Sequence, residues 1–163
     1  MSAGLDDAAL HPSCARVNEI VARAGFSGRV RILPEPAPTA KIAAAQLGIE
    51  VGAIANSLIF RTESDQPLLV MTSGAHRVDP DVVAAVIGEA IGRADAEFVR
   101  RHTGQPIGGV APVGHPAPIR TLVDQDLGEF GEIWAAGGIP HAVFPLTCDQ
   151  LVVLTDGVVT RVA

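Results

Sequence analysis

Ile107-Gly-Gly-Val-Ala-Pro-Val-Gly-His115 carries the strongest chemical signal in the chain. Adjacent glycines let a backbone approach a ligand and turn its N–H groups towards an acceptor. Pro112 has no N–H and a fixed φ, which stiffens the loop. Such a loop could polarise an ester carbonyl and hold the oxyanion formed when water attacks it. The same glycines also suit a tight turn that needs them for steric reasons alone. In Trp134-Ala-Ala-Gly-Gly-Ile-Pro140, Gly137 and Gly138 either line a pocket or form a β-turn. In Leu69-Val-Met-Thr-Ser-Gly74 an apolar run ends in small polar residues, and Ser73 either faces a cleft or simply ends a strand. Arg100-Arg101-His102 could meet phosphates or form a solvated helix face. His115, next to Pro116, reads equally as a donor at a site rim and as a satisfied loop histidine.

Other chemistries lack their residues. There is no G-x-S-x-G elbow, P-loop, G-x-G-x-x-G or C-x-x-C. His11, His76, His102, His115 and His141 have no metal-ligand spacing, so no metal site is expected. Cys14 and Cys148 read as separate, inert thiols. Lys41 is the single lysine, so a mechanism needing one has one candidate. The 163 residues fit one domain, and 48% hydrophobic content with only 4% aromatics implies an aliphatic core. A net charge of −6 argues against general duplex-DNA binding. The N-terminus lacks the basic stretch of a signal peptide and no apolar run is long enough to span a membrane, so a soluble cytoplasmic chain is expected.

The elements that position these segments can be read from periodicity and punctuation. Ser13 caps a predicted helix through Ala24, stopped by Gly25. Arg29–Leu33 alternates as a half-buried strand. Beyond the proline-rich Pro34–Pro38, Thr39 caps a helix over Ala40–Leu47 closed by Gly48. A turn over Val51–Ala55 leads to a strand over Ser57–Arg61, which can pair as a hairpin with a buried strand over Pro67–Thr72. Asp79-Pro80 starts a helix to Ile87, and a second helix over Asp95–His102 is ended by Gly104. Ile107–Pro118 is loop, followed by short strands over Ile119–Val123, Glu132–Ala135 and Ala142–Phe144. A helix over Cys148–Leu154 and a strand over Val158–Val162 close the chain. Several strand pairs lack a helix between them, which predicts a mixed sheet in an α/β (mixed α+β) domain. Residues 1–12 read as a flexible arm and 13–163 as the domain.

In this order, Thr39–Gly48, Ile54–Phe60, Ser73-Gly74, Arg77–Asp79, Thr103-Gly104, Ile107–His115, Trp134–Gly138 and Leu151–Thr155 resemble the YbaK/ProX family of aminoacyl-tRNA editing domains, over residues 13–162. The resemblance implies a single domain with a mixed, barrel-like sheet surrounded by helices. It implies hydrolysis in trans of the ester joining a mischarged small amino acid (Ala, Ser, Thr or Cys-like) to tRNA, with no metal or organic cofactor. The implied partners are the acceptor end of aminoacyl-tRNA and an aminoacyl-tRNA synthetase, with no membrane and no general DNA binding. The family's G-x-x-x-P loop matches Gly108–Pro112, with an implied role in binding the aminoacyl group and terminal ribose. Gly108, Gly109 and Val110 would then offer N–H groups to the oxyanion. Thr39, Ser73, Pro112, His115, Gly137 and Gly138 would bind substrate. One position departs: where the family carries lysine before Ser-Leu-Ile-Phe, this chain has Asn56. Asparagine keeps a donor and an acceptor but loses charge and reach. Asn56 then positions the ester by hydrogen bonding, or Lys41 supplies the missing charge. In the remaining alternative the chain is a catalytically impaired module that binds aminoacyl-tRNA or a tRNA end.

Overall fold

The computed structural model describes residues 10–163, so most of the expected arm lies outside the described residues. Helix α1 (Pro12–Arg23) opens on a proline, whose missing N–H is no loss in a first turn. The cap is His11 rather than the expected Ser13: His11 Nδ1 accepts the Ser13 N–H at 3.0 Å. Helix α2 (Ala40–Leu47) keeps its expected bounds, with Thr39 Oγ1 accepting the Ile42 N–H at 3.2 Å and Gly48 closing it at φ 70°. Asp79, Asp95 and Thr147 cap α3 (Pro80–Ile87), α4 (Ala96–Thr103) and α5 (Cys148–Thr155) in the same way.

Eight strands make one mixed sheet: β1 (Arg31–Ile32), β2 (Ile54–Thr62), β3 (Pro67–Ser73), β4 (Ile91–Arg93), β5 (Arg120–Asp124), β6 (Ile133–Ala136), β7 (Ala142–Leu146) and β8 (Val158–Thr160). Their order is β1-β7-β6-β2-β3-β5-β8, with β4 also against β2. The pairs β2–β6, β3–β5 and β5–β8 are parallel and the rest antiparallel. Strand β3 is apolar along most of its length because both of its faces are covered. Leu69 and Met71 pack into the main core with Val17 and Val21 of α1 and with Phe144, whereas Leu68 and Val70 meet Val83 of α3 on the other side. Each such side chain, fully buried, stabilises the fold by roughly 1.5–3 kcal/mol. Cys14 is buried in that core and Cys148 half-buried; both are unpaired, and burial pushes both thiols above their ordinary pKa. No helix among the described residues is long and apolar enough to cross a membrane.

Two strands differ from expectation for local reasons. β1 is shorter than Arg29–Leu33 because the Val30 N–H goes to Asn18 Oδ1 of α1 (2.7 Å) instead of to a strand. β4 has no signature at all in sequence: three residues around Gly92 carry no period, and β2 alone draws them into the sheet.

The register of β2 leaves part of one edge bare. One side of the strand is paired with β3 from Ala55↔Ser73 to Arg61↔Pro67. The other side is divided: β6 takes Ile54 and Ala55, and β4 takes Phe60 to Thr62. Between them, Asn56–Ile59 have no strand beside them on that edge.

Candidate active site

A cavity of about 500 Å³ opens at this interruption, and Asn56, Ser57, Leu58 and Ile59 all line it. Trp134–Ala136 of β6 form one wall, and the N-terminal end of α2 with the preceding Ala37–Thr39 forms another. Ile107, Gly108 and Val110 of the glycine loop also line it, with Val99 of α4, and Ile59 packs against Val99 and Val110. The unpaired edge of a strand presents N–H and C=O groups without partners, so this cavity sets backbone donors and acceptors against a glycine loop.

The loop's glycines serve two different purposes. Gly109 N–H donates to Pro106 O (3.0 Å), closing a four-residue turn whose third residue, Gly108, sits at φ +88°. That sign at that position is what a type II turn requires. Gly109 is glycine for room: a Cβ there would lie 2.4 Å from the Ile139 carbonyl carbon and 2.5 Å from the Pro140 nitrogen. Its N–H is therefore already used, and its contribution to the cavity is a missing side chain. The N–H groups of Gly108 and Val110 have no acceptor among the described residues. Gln105, which sequence reasoning passed over, pegs the loop from behind. Its Oε1 accepts the Ala111 N–H (2.7 Å) and its Nε2 donates to Val113 O (3.2 Å).

Asn56 lies half-buried in the cavity, and its side-chain amide makes no hydrogen bond among the described residues. Thr39 also lines the wall, its hydroxyl oxygen engaged in capping α2. Lys41 is exposed on α2 and is not part of the wall. Several other sequence-derived residues sit elsewhere. Ser73 is buried behind β2, its Oγ donating to Gly52 O (2.8 Å). Pro112 is buried within the loop. Gly137 and Gly138 let the β6–β7 connection pass under Val30 and α1, where a Cβ on Gly138 would lie 2.8 Å from the Ser13 Cβ. Arg100 and Arg101 are on the exposed face of α4, Arg101 paired with Glu97 at 3.6 Å.

His115 faces away from the cavity, into a cleft with Arg16 and Gln105, where its Nε2 donates to Ala111 O at 2.8 Å. Burial holds its pKa below the ordinary 6.5, although the bond to Ala111 pulls the other way. The folded chain thus takes up this proton less readily than the unfolded one, so stability is fully present above pH 6.5 and falls as pH drops through the lower folded pKa. Urea midpoints at pH 7.5 and 5.5 should show this fall in the wild type and a smaller fall in His115→Gln; equal falls would count against it.

Sequence reasoning missed two residues that the cavity does use. Trp134 and His141 both line it, and His141 is exposed with φ 63°, a conformation unusual for a non-glycine residue. His141 is the one ionisable side chain on the wall among the described residues. The wall holds no carboxylate, no thiol and no second histidine there, so it offers no ligand set for a metal. His76, Asp124 and Asp126 do come together below the C-terminal end of β3, outside the cavity. Asp124 Oδ2 accepts from the Ser73 N–H (2.9 Å), the Thr72 hydroxyl (3.3 Å) and His76 Nε2, and Oδ1 accepts from the Asp126 N–H (3.0 Å). With both oxygens occupied, this cluster works as a clamp on the chain.

Residues 34–154 match the aminoacyl-tRNA editing domain family. The chain belongs to that family. The editing domain is also 40% identical to a candidate trans-editing enzyme for prolyl-tRNA synthetase of known crystal structure, with a TM-score of 0.88 over 94% of this chain and 98% of the other. A second solved structure, the hypothetical protein APE2540, is 30% identical, with a TM-score of 0.83 over 90% and 98%. The uncharacterized protein YwhH of Bacillus subtilis (strain 168) is 30% identical over 69% of this chain and 72% of its own. The cavity between β6, β4 and the glycine loop therefore lies in an editing-type fold, and the family match spans every residue described on its walls except Leu33.

Proposed function

We propose that the editing domain is an aminoacyl-tRNA deacylase that removes a mischarged small amino acid, of the Ala, Ser, Thr or Cys class, from tRNA in trans. What carries this reading is that one cavity is lined both by an unpaired strand edge carrying Asn56 and by a loop with unclaimed N–H groups on Gly108 and Val110. The acceptor end enters with its aminoacyl ester between the two. Water attacks the ester carbonyl, and the oxygen that gains charge accepts from the Gly108 and Val110 N–H groups, a fixed donor pair of the kind that lowers such barriers. The Asn56 amide orients the terminal nucleotide or the substrate amine. The tetrahedral intermediate collapses with release of the ribose hydroxyl, which takes a proton, and the free amino acid. A wall without a pair of carboxylates or a metal set suits an aminoacyl ester, which is intrinsically labile.

One observation favours a rival reading: the neutral Asn56 stands where the resembled family carries lysine, which suits a module that binds tRNA ends without hydrolysis. Deacylation assays with tRNA charged with Ala, Ser, Thr, Cys or Pro separate the two. The expected result is hydrolysis of one mischarged species by the wild type, with Pro-tRNA spared and Lys41→Ala unchanged. Activity that appears only in Asn56→Lys would establish the rival.

A further inference from the structure

The cavity's walls hold no fixed charge among the described residues, yet a cation stands directly against one of them. The Arg31 guanidinium lies 4.9 Å from the centroid of the Trp134 ring. Arg31 is exposed and pairs with no carboxylate among the described residues. Arg31 is not itself on the wall, and its place beside the wall is set by the backbone. The register puts Arg31 opposite Val143, and strand alternation puts Leu33 on the same face as Arg31; both Val143 and Leu33 line the cavity. A guanidinium held over an indole loses little further freedom on binding and keeps N–H groups available for bidentate contact with a phosphate. On a chain of net charge −6, a polyanion gains most from a cation placed beside the site.

We propose that Arg31, seated over Trp134, grips the 5′-phosphate of the nucleoside that enters this cavity. The inference rests on the proposed function, in which the cavity receives a nucleoside end, and it gives the site the fixed positive charge that Asn56 lacks. Free nucleotides and RNA ends share this chemistry, so the test uses both.

Trp134 is the only tryptophan in the chain, so its fluorescence reports occupancy of the cavity. Adenosine, AMP and a CCA trinucleotide are titrated against the wild type, Arg31→Gln and Arg31→Lys. AMP should bind the wild type about tenfold more tightly than adenosine, at the lower end for a hydrogen bond to a charged group. That difference should vanish in Arg31→Gln and return in part in Arg31→Lys. For the trinucleotide, the slope of log affinity against log salt should fall by about 0.7 in Arg31→Gln. Arg31-dependent binding of AMP alone supports the phosphate grip and assigns it to free nucleotides. Equal affinities for AMP and adenosine in the wild type, or no fluorescence response to any probe, overturn it. A wild-type urea midpoint for Arg31→Gln shows that an exposed side chain was removed without harm to the fold. Wild-type deacylation alongside a failed AMP result sinks this inference alone; a successful AMP result without deacylation sinks the enzyme reading alone.

Discussion

Gly109→Ala is expected to lower deacylation by about 10²–10³-fold, the loss typical of a displaced oxyanion donor. The added methyl would lie 2.4–2.7 Å from three backbone atoms of Ile139 and Pro140, and backbone cannot swing aside as a side-chain tip can. The loop must shift instead, taking the Gly108 and Val110 N–H groups with it. Stability should fall as well, by about 1–3 kcal/mol for overpacking. Gly108→Ala is the informative contrast. Its Cβ would point into open space, and the cost is the φ of +88°, roughly 1–2 kcal/mol of backbone strain. Single-turnover deacylation and urea unfolding on both variants check the pair. A wild-type rate for Gly109→Ala would remove the loop from the mechanism.

Asp124→Ala should cause the largest loss of stability, about 1–3 kcal/mol for each of the buried Ser73 N–H and Thr72 hydroxyl groups left without this acceptor. The side chain is buried and its oxygens hold the Ser73 N–H, the Thr72 hydroxyl, His76 and the Asp126 N–H. Without them the C-terminal end of β3 loses its side-chain tie to β5. Against a typical total of about 5–15 kcal/mol, this is a large fraction. Activity should drop too, because Thr72 is the cross-strand partner of Asn56. Asp124→Asn keeps one acceptor oxygen and should lose less. An unchanged urea midpoint for Asp124→Ala would mean the clamp holds nothing.

The helices were legible because their punctuation is local. Thr39 and Asp79 cap, Gly48 and Gly104 stop, and no distant residue is needed to see it. The buried hairpin of β2 and β3 was legible for the same reason. The site was legible only as segments. The glycine loop and the Trp134 segment both reach the cavity: Gly108 and Val110, to which the sequence pointed, line it, whereas Pro112, His115, Gly137 and Gly138 do not, and Ile107 and Trp134 stand on the wall in their place, with His141 just beyond that segment. Composition marks glycine and proline as special without saying whether a position needs φ > 0, clearance from a neighbour or contact with a ligand. Only tertiary distances separate Gly108 from Gly109. The interruption beside Asn56 was out of reach altogether, since it depends on where β4 and β6 end, and β4 carries no pattern of its own.

That interruption bears on solubility as well as on binding. Exposed strand edges invite another molecule's strand and, through it, aggregation. The strands β1, β4 and β8, each paired on one side only, are just two or three residues long and offer little to copy. The bare stretch Asn56–Ile59 is longer, but it lines a cavity whose walls also include the glycine loop, α2 and β6, rather than lying along an outer edge of the sheet. The protein can thus keep backbone groups unsatisfied for a small guest while remaining a poor template for its own kind.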